Sequence, residues 1–84
     1  MANHPFQVEI DPEADAAYVQ VSNAPVVRTG EVADGIIVDF AADDAVVGVE
    51  VLGLQDRVGT RDSVSYLQGL VEGLQLRPSV QAAE

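Results

Sequence analysis

Polar and apolar residues alternate through most of positions 5–53, the mark of strands with one buried and one wet face. Phe6, Val8 and Ile10 share one side and Gln7 and Glu9 the other, which predicts a strand from Pro5 to Ile10. Asp11-Pro12-Glu13-Ala14-Asp15 interrupts it with turn-forming residues, since Pro presets φ for a turn. Ala16 to Ser22 alternates again, with Ala17, Val19 and Val21 opposite Tyr18, Gln20 and Ser22. The loop between them is short enough for an antiparallel hairpin. Val26 to Val32 is rich in β-branched residues but broken by Gly30, and reads as an extended connection or an irregular edge strand. After the turn signal Asp34-Gly35 comes the central hairpin, Glu31 to Leu52. Its arms put Ile36, Val38 and Phe40 beside Val47, Val49 and Val51 in the core, and Asp39 and Glu50 on the outer face.

Beyond Gly53 the period changes. Positions 54–61 read as a linker. From Asp62 apolar residues recur at spacings of three and four: Val64, Leu67, Leu70, Val71 and Leu74. This stripe predicts a helix over residues 62–76, with Asp62 as N-cap, Arg77 favourably placed at its end and Pro78 stopping it. Gly69 and Gly73 each cost such a helix about 1 kcal/mol, so it must dock to persist. The expectation is one α+β domain over residues 1–84: an antiparallel sheet of about four strands (5–53), a C-terminal helix on one face and a disordered tail (78–84).

Composition narrows the function. A chain of 84 residues buries roughly 60–65% of its unfolded surface, so its core is marginal. Without cysteine it has neither disulfides nor thiolate metal sites, and a partner subunit is the readiest further source of stability. Fourteen acidic residues face four basic ones, for a net charge of −10. That balance opposes binding to nucleic acid or an anionic membrane, and suits a basic protein partner. Residues 1–10 carry no basic start or apolar run of a secretory signal, and no stretch is apolar for long enough to span a bilayer, which predicts a cytoplasmic protein.

Three segments resemble a known family. Asp11 to Val19 (DPEADAAYV) is similar to a "YDPEADALYI" opening, Gly35 to Phe40 (GIIVDF) to "GVIVDYD", and Val46 to Leu52 (VVGVEVL) to "VVGIEIL". These belong to domain of unknown function 2283, a family of small bacterial proteins, and the resemblance covers roughly residues 7–53. Ile10 meets the position before Asp-Pro only as an apolar residue, and Asp43-Asp44 stands where the family has Asp-Gly. The resemblance implies no activity, cofactor or catalytic residue. Relatives are often encoded beside toxin-like proteins, which implies an antitoxin-like role. The helix lies outside the shared segments.

Candidate chemistry is sparse. Asp11, Glu13 and Asp15 start like a calcium loop, but Ala16 and Ser22 stand where it needs Gly and Glu. Asp39 and Glu50 are the weak candidates for a metal or small-ligand site, or for sharing a proton, if they lie directly opposite. The alternative is that they are diagonal, or pair with Arg28 or Arg57. No serine has a base within the sequence pattern, and the single histidine, His4, is near the chain end. Gly48 in a valine-rich strand marks a bulge, a large neighbour such as Tyr18, or close approach of a ligand or backbone. Two surfaces are candidates for pairing copies of the chain: an outer sheet face with Tyr18, Ile37, Val46 and Leu52, and a helix face with Tyr66, Gly69, Gly73 and Leu76. The expected function is therefore a non-enzymatic, homodimeric interaction module without a cofactor.

Overall fold

A computed structural model describes residues 6–75. They form strands β1 (Gln7–Asp11), β2 (Ala16–Gln20), β3 (Arg28–Ala33), β4 (Ile36–Phe40) and β5 (Val46–Leu52), then helices α1 (Leu54–Val58) and α2 (Ser63–Gln75). The strands make one antiparallel sheet in the order β1-β2-β5-β4-β3. The fold is thus the expected α+β, with five strands rather than about four. The additional one is β3, whose Gly30 weakens the sequence signal without preventing pairing at the sheet edge. His4, Leu76, Arg77, Pro78 and the tail lie outside the described residues.

Cross-strand rows define the two faces. On the inner face Val8, Val19, Val49, Val38 and Gly30 form one row, and Ile10, Ala17, Val51 and Ile36 another. Both helices cover this face, because Leu54 and Val58 of α1 and Leu67, Val71 and Leu74 of α2 join Val19, Val38, Phe40 and Val49 in one cluster. Val19, Val38, Val49, Val51, Leu67 and Val71 are fully enclosed. Neither described helix lies on the opposite face.

Three details differ from the sequence pattern. Residues 54–61 are not merely a linker, since Leu54 to Val58 form a helical turn burying its two apolar residues one turn apart. Five residues are too few to be helical alone, so this helix depends on its contacts. Val64, placed on the core stripe by its spacing, is 40% exposed, because the arc through Leu67, Val71 and Leu74 is what meets the sheet. A β-bulge between Asp39 and Phe40 sets Val46 and Val47 of β5 together against Phe40, and both are buried.

Two contacts hold α1 to the sheet. Asp15, in the β1–β2 turn, has φ of 53°; its carbonyl accepts from Leu54 N at 3.0 Å and its Oδ1 from Gln55 N at 3.0 Å. An aspartate from a distant turn thereby satisfies the open N–H groups of the helix. At the other side, Arg57 donates Nε to the Leu52 carbonyl at 2.7 Å and Nη2 to the Asp34 carbonyl. It lies where a Cβ on Gly35 would fall, 2.4 Å from Nη2, and Gly35 has φ of 77°. Glycine there serves both the turn and the arginine. Asp62 caps α2, accepting from Ser65 N at 2.9 Å.

The β4–β5 loop closes through Asp44 N to Ala41 O and Ala41 N to Ala45 O, each 2.9 Å. Asp44 occupies the left-handed region at φ 67°, a conformation that favours glycine, and pairs with Arg28 at 3.1 Å on the surface. Chemical denaturation gives the expected contrast. Asp15→Ala loses about 2 kcal/mol, as a cap is removed and a left-handed residue loses its polar side chain. Asp44→Gly gains about 0.5–1 kcal/mol, because the strain relieved exceeds the worth of an exposed ion pair.

Candidate functional site

The uncovered sheet face is built on two rows. Glu9, Tyr18, Glu50, Ile37 and Glu31 are consecutive partners across all five strands, and Gln7, Gln20, Gly48, Asp39 and Thr29 form the row beside them. Side chains of directly paired residues leave the sheet on the same side. Asp39 pairs with Gly48, and Glu50 with Ile37, so the two carboxylates are diagonal. Of the arginines that the sequence offered them, Arg28 pairs with Asp44 and stacks over Phe40 at 4.2 Å, and Arg57 bonds backbone carbonyls.

Tyr18 organises this face. Its ring lies across Gly48, where a Cβ would come within 1.8 Å of the hydroxyl oxygen and 2.4 Å of Cζ. Of the readings open for Gly48, the structure realises the large neighbour. The hydroxyl donates to Asp39 Oδ2 at 2.8 Å, and Thr29 Oγ1 donates to Asp39 Oδ1 at 2.7 Å. Asp39 is thus committed on both oxygens to fixing a phenol and a threonine. Among the described residues no three metal-binding side chains come together.

Burial pushes the Tyr18 phenol up from 10.0 to about 12; its hydrogen bond to Asp39 and the negative charges of Asp39 and Glu50 act in the same direction. The phenol is neutral at physiological pH and serves as a donor and an aromatic surface, not as a nucleophile. On the edge side of Tyr18 the sheet and the β1–β2 turn enclose a concavity of about 480 Å³, walled by Tyr18, Ile10 and Pro12 and by the carboxylates of Glu9, Asp11 and Glu50.

The other residues singled out by sequence are dispersed. Ile37 is half-buried and Leu52 40% exposed on the outer face, whereas Val46 is only 8% exposed and belongs to the core. Simple alternation sends Val46 outward; the bulge turns it inward. Tyr66 is half-buried beneath the Arg61 guanidinium, 5.0 Å from its ring centre, and nothing lies within 4 Å of a Cβ built on Gly69 or Gly73. Leu76 is beyond the described residues. Glu9 was not singled out by sequence reasoning, although its place beside Tyr18 follows from the register of the expected β1–β2 hairpin.

The model of the family described as "Protein of unknown function (DUF2283)" matches residues 7–54. The chain belongs to this family. No curated protein and no solved structure matches it. The match runs from the first residue of β1 to the first of α1, and the three resembling segments contribute Tyr18, Asp39 and Gly48 respectively.

Two measurements check the site. Gly48→Ala lowers stability by about 1–3 kcal/mol, since the new methyl must displace a ring anchored at both ends, and most of that loss disappears in a Tyr18→Ala background. In a Tyr66→Phe background, absorbance at alkaline pH reports Tyr18 alone and gives a midpoint near 12. Because the folded value lies above the unfolded one, the stabilisation is intact below pH 10 and is lost as pH rises toward 12.

Proposed function

We propose that this protein is a non-enzymatic, cytoplasmic protein-interaction module, dimeric in solution, whose bare sheet face receives a basic protein partner in the manner of an antitoxin. The observation that carries this is the row Glu9–Tyr18–Glu50: an aromatic ring flanked on both sides by carboxylates, on a face with no helix over it. Asp11, Glu31 and Asp39 add negative charge around it, and none of the strand residues facing this side is lysine or arginine. A guanidinium or ammonium from a partner finds a π-face to lie on and carboxylates within reach. Ile37 and Leu52 add apolar area within this polar surround, an arrangement typical of protein interfaces. The same charge repels phosphate backbones and anionic lipid.

An arginine-containing, net-basic peptide serves as the probe, titrated into the protein by NMR. Shifts centre on the Tyr18, Glu9 and Glu50 amides. Glu50→Gln weakens binding about three- to tenfold more than Glu72→Gln, which removes the same charge from the exposed side of α2. Equal effects of the two substitutions would mean that only net charge attracts the peptide, and the reading would fail.

A further inference from the structure

A sheet of five strands has two edges, and each presents backbone groups unpaired on one side. The two edges are defended differently. β1 carries Glu9 and Asp11 and runs into Pro12, so like charges and a proline, two of the devices that keep an edge from pairing, stand together there. β3 has Gly30 at its middle, with open space where a side chain would be, and is preceded by Val26 and Val27, which are 47% and 61% exposed. Its irregularity is confined to the stretch between Glu31 and Ala33, so Arg28 to Glu31 is regular.

We infer that the β3 edge is the surface through which two copies of this chain pair, antiparallel about Gly30, to form one ten-stranded sheet. Charge selects this pairing from the alternatives. Joining two β1 edges about their centre would set Glu9 against Glu9 and Gln7 against Asp11, with like charges directly opposed. Joining β1 to β3 would leave a free edge of each kind and propagate without closing. Pairing of the outer faces would bring Glu9, Glu31 and Glu50 of one copy onto those of the other. Within the regular stretch, two β3 edges paired about Gly30 oppose Gly30 to Gly30 and Thr29 to Glu31, with no charged residue directly facing its like. The two-fold keeps inner face beside inner face. Glycine at the axis suits close approach of a second backbone. Both bare faces then lie on one side of the dimer, as a single acidic surface twice as wide.

The inference rests on the dimeric reading above and names its surface. Light scattering is expected to give about twice the 8.8 kDa chain mass, with a dimer that tightens as salt screens the repulsion between two chains of net charge −10. The chain has no cysteine, so Gly30→Cys introduces a single thiol, which cross-links the dimer under mild oxidation, whereas Gly69→Cys on α2 does not. Gly30→Glu, which has room in the monomer, raises the dimer dissociation constant at least about tenfold while the circular dichroism of the fold persists. A monomer at every concentration and salt overturns both the dimer and its surface. A dimer that ignores Gly30→Glu and fails to cross-link through Gly30→Cys overturns the β3 surface alone and leaves the dimer standing.

Discussion

Asp15 sits where two distant parts of the chain must agree. Its left-handed backbone ends the β1–β2 turn, and its carbonyl and carboxylate together receive the first N–H groups of α1, forty residues later. A helix of five residues has no stability of its own, so its position is set by what satisfies its ends and what buries Leu54 and Val58. Asp15 fixes the first end and Arg57 ties the helix to the β3–β4 turn. With α1 held there, the chain re-enters over the inner face and α2 lays Leu67, Val71 and Leu74 on the same side. One-sided cover is therefore a consequence of how the chain leaves the sheet, and the bare opposite face is its complement.

A bare face on a small sheet must be stabilised without a second layer. Here Tyr18 does this locally. Its ring spreads over Gly48 in place of a side chain, and Asp39 and Thr29 hold the far end. The arrangement buries aromatic carbon against the backbone and spends Asp39 on orientation. The phenol stays neutral, Asp39 is committed on both oxygens, and Asp39 and Glu50 stand diagonal to one another. Together they hold a fixed surface, because a ring anchored at its hydroxyl loses little further freedom when something lies on it.

Much of this was legible in the residue pattern, and the gaps have physical causes. Period two located β1, β2, β4 and β5, because each has an inner face of Val, Ile or Phe that cannot tolerate a one-residue slip. The pairing of Gly48 with a covering Tyr18 was readable as one of three alternatives. Gly30 obscured β3, since an edge strand needs only one ladder and tolerates a residue with nothing to pack. Helix α1 was hidden because its signal, two apolar residues one turn apart between glycines, is too short to register; its stability comes from Asp15 and Arg57. Val46 was misassigned because a bulge adds a residue to one strand and reverses the alternation beyond it. Glu9 beside Tyr18 followed from hairpin register, but Glu50 on the other side required knowing that β5 inserts between β2 and β4.

That insertion gives the outer face its character. Were the strands in sequence order, β5 would pair with β4 alone and Glu50 would not stand beside Tyr18. Placing β5 between β2 and β4 brings all three resembling segments into adjacent strands, so that Tyr18 touches Gly48 and Asp39 at once. It also moves β3 to the rim opposite the acidic β1, where a glycine is harmless to the core. The same topology thus makes a carboxylate-flanked ring at the centre and two rims of different charge, Glu9 and Asp11 on β1 against Arg28 and Glu31 on β3. Because like charge disfavours β1 against β1 and closure disfavours β1 against β3, specificity between edges follows from where a few carboxylates stand, without any dedicated contact.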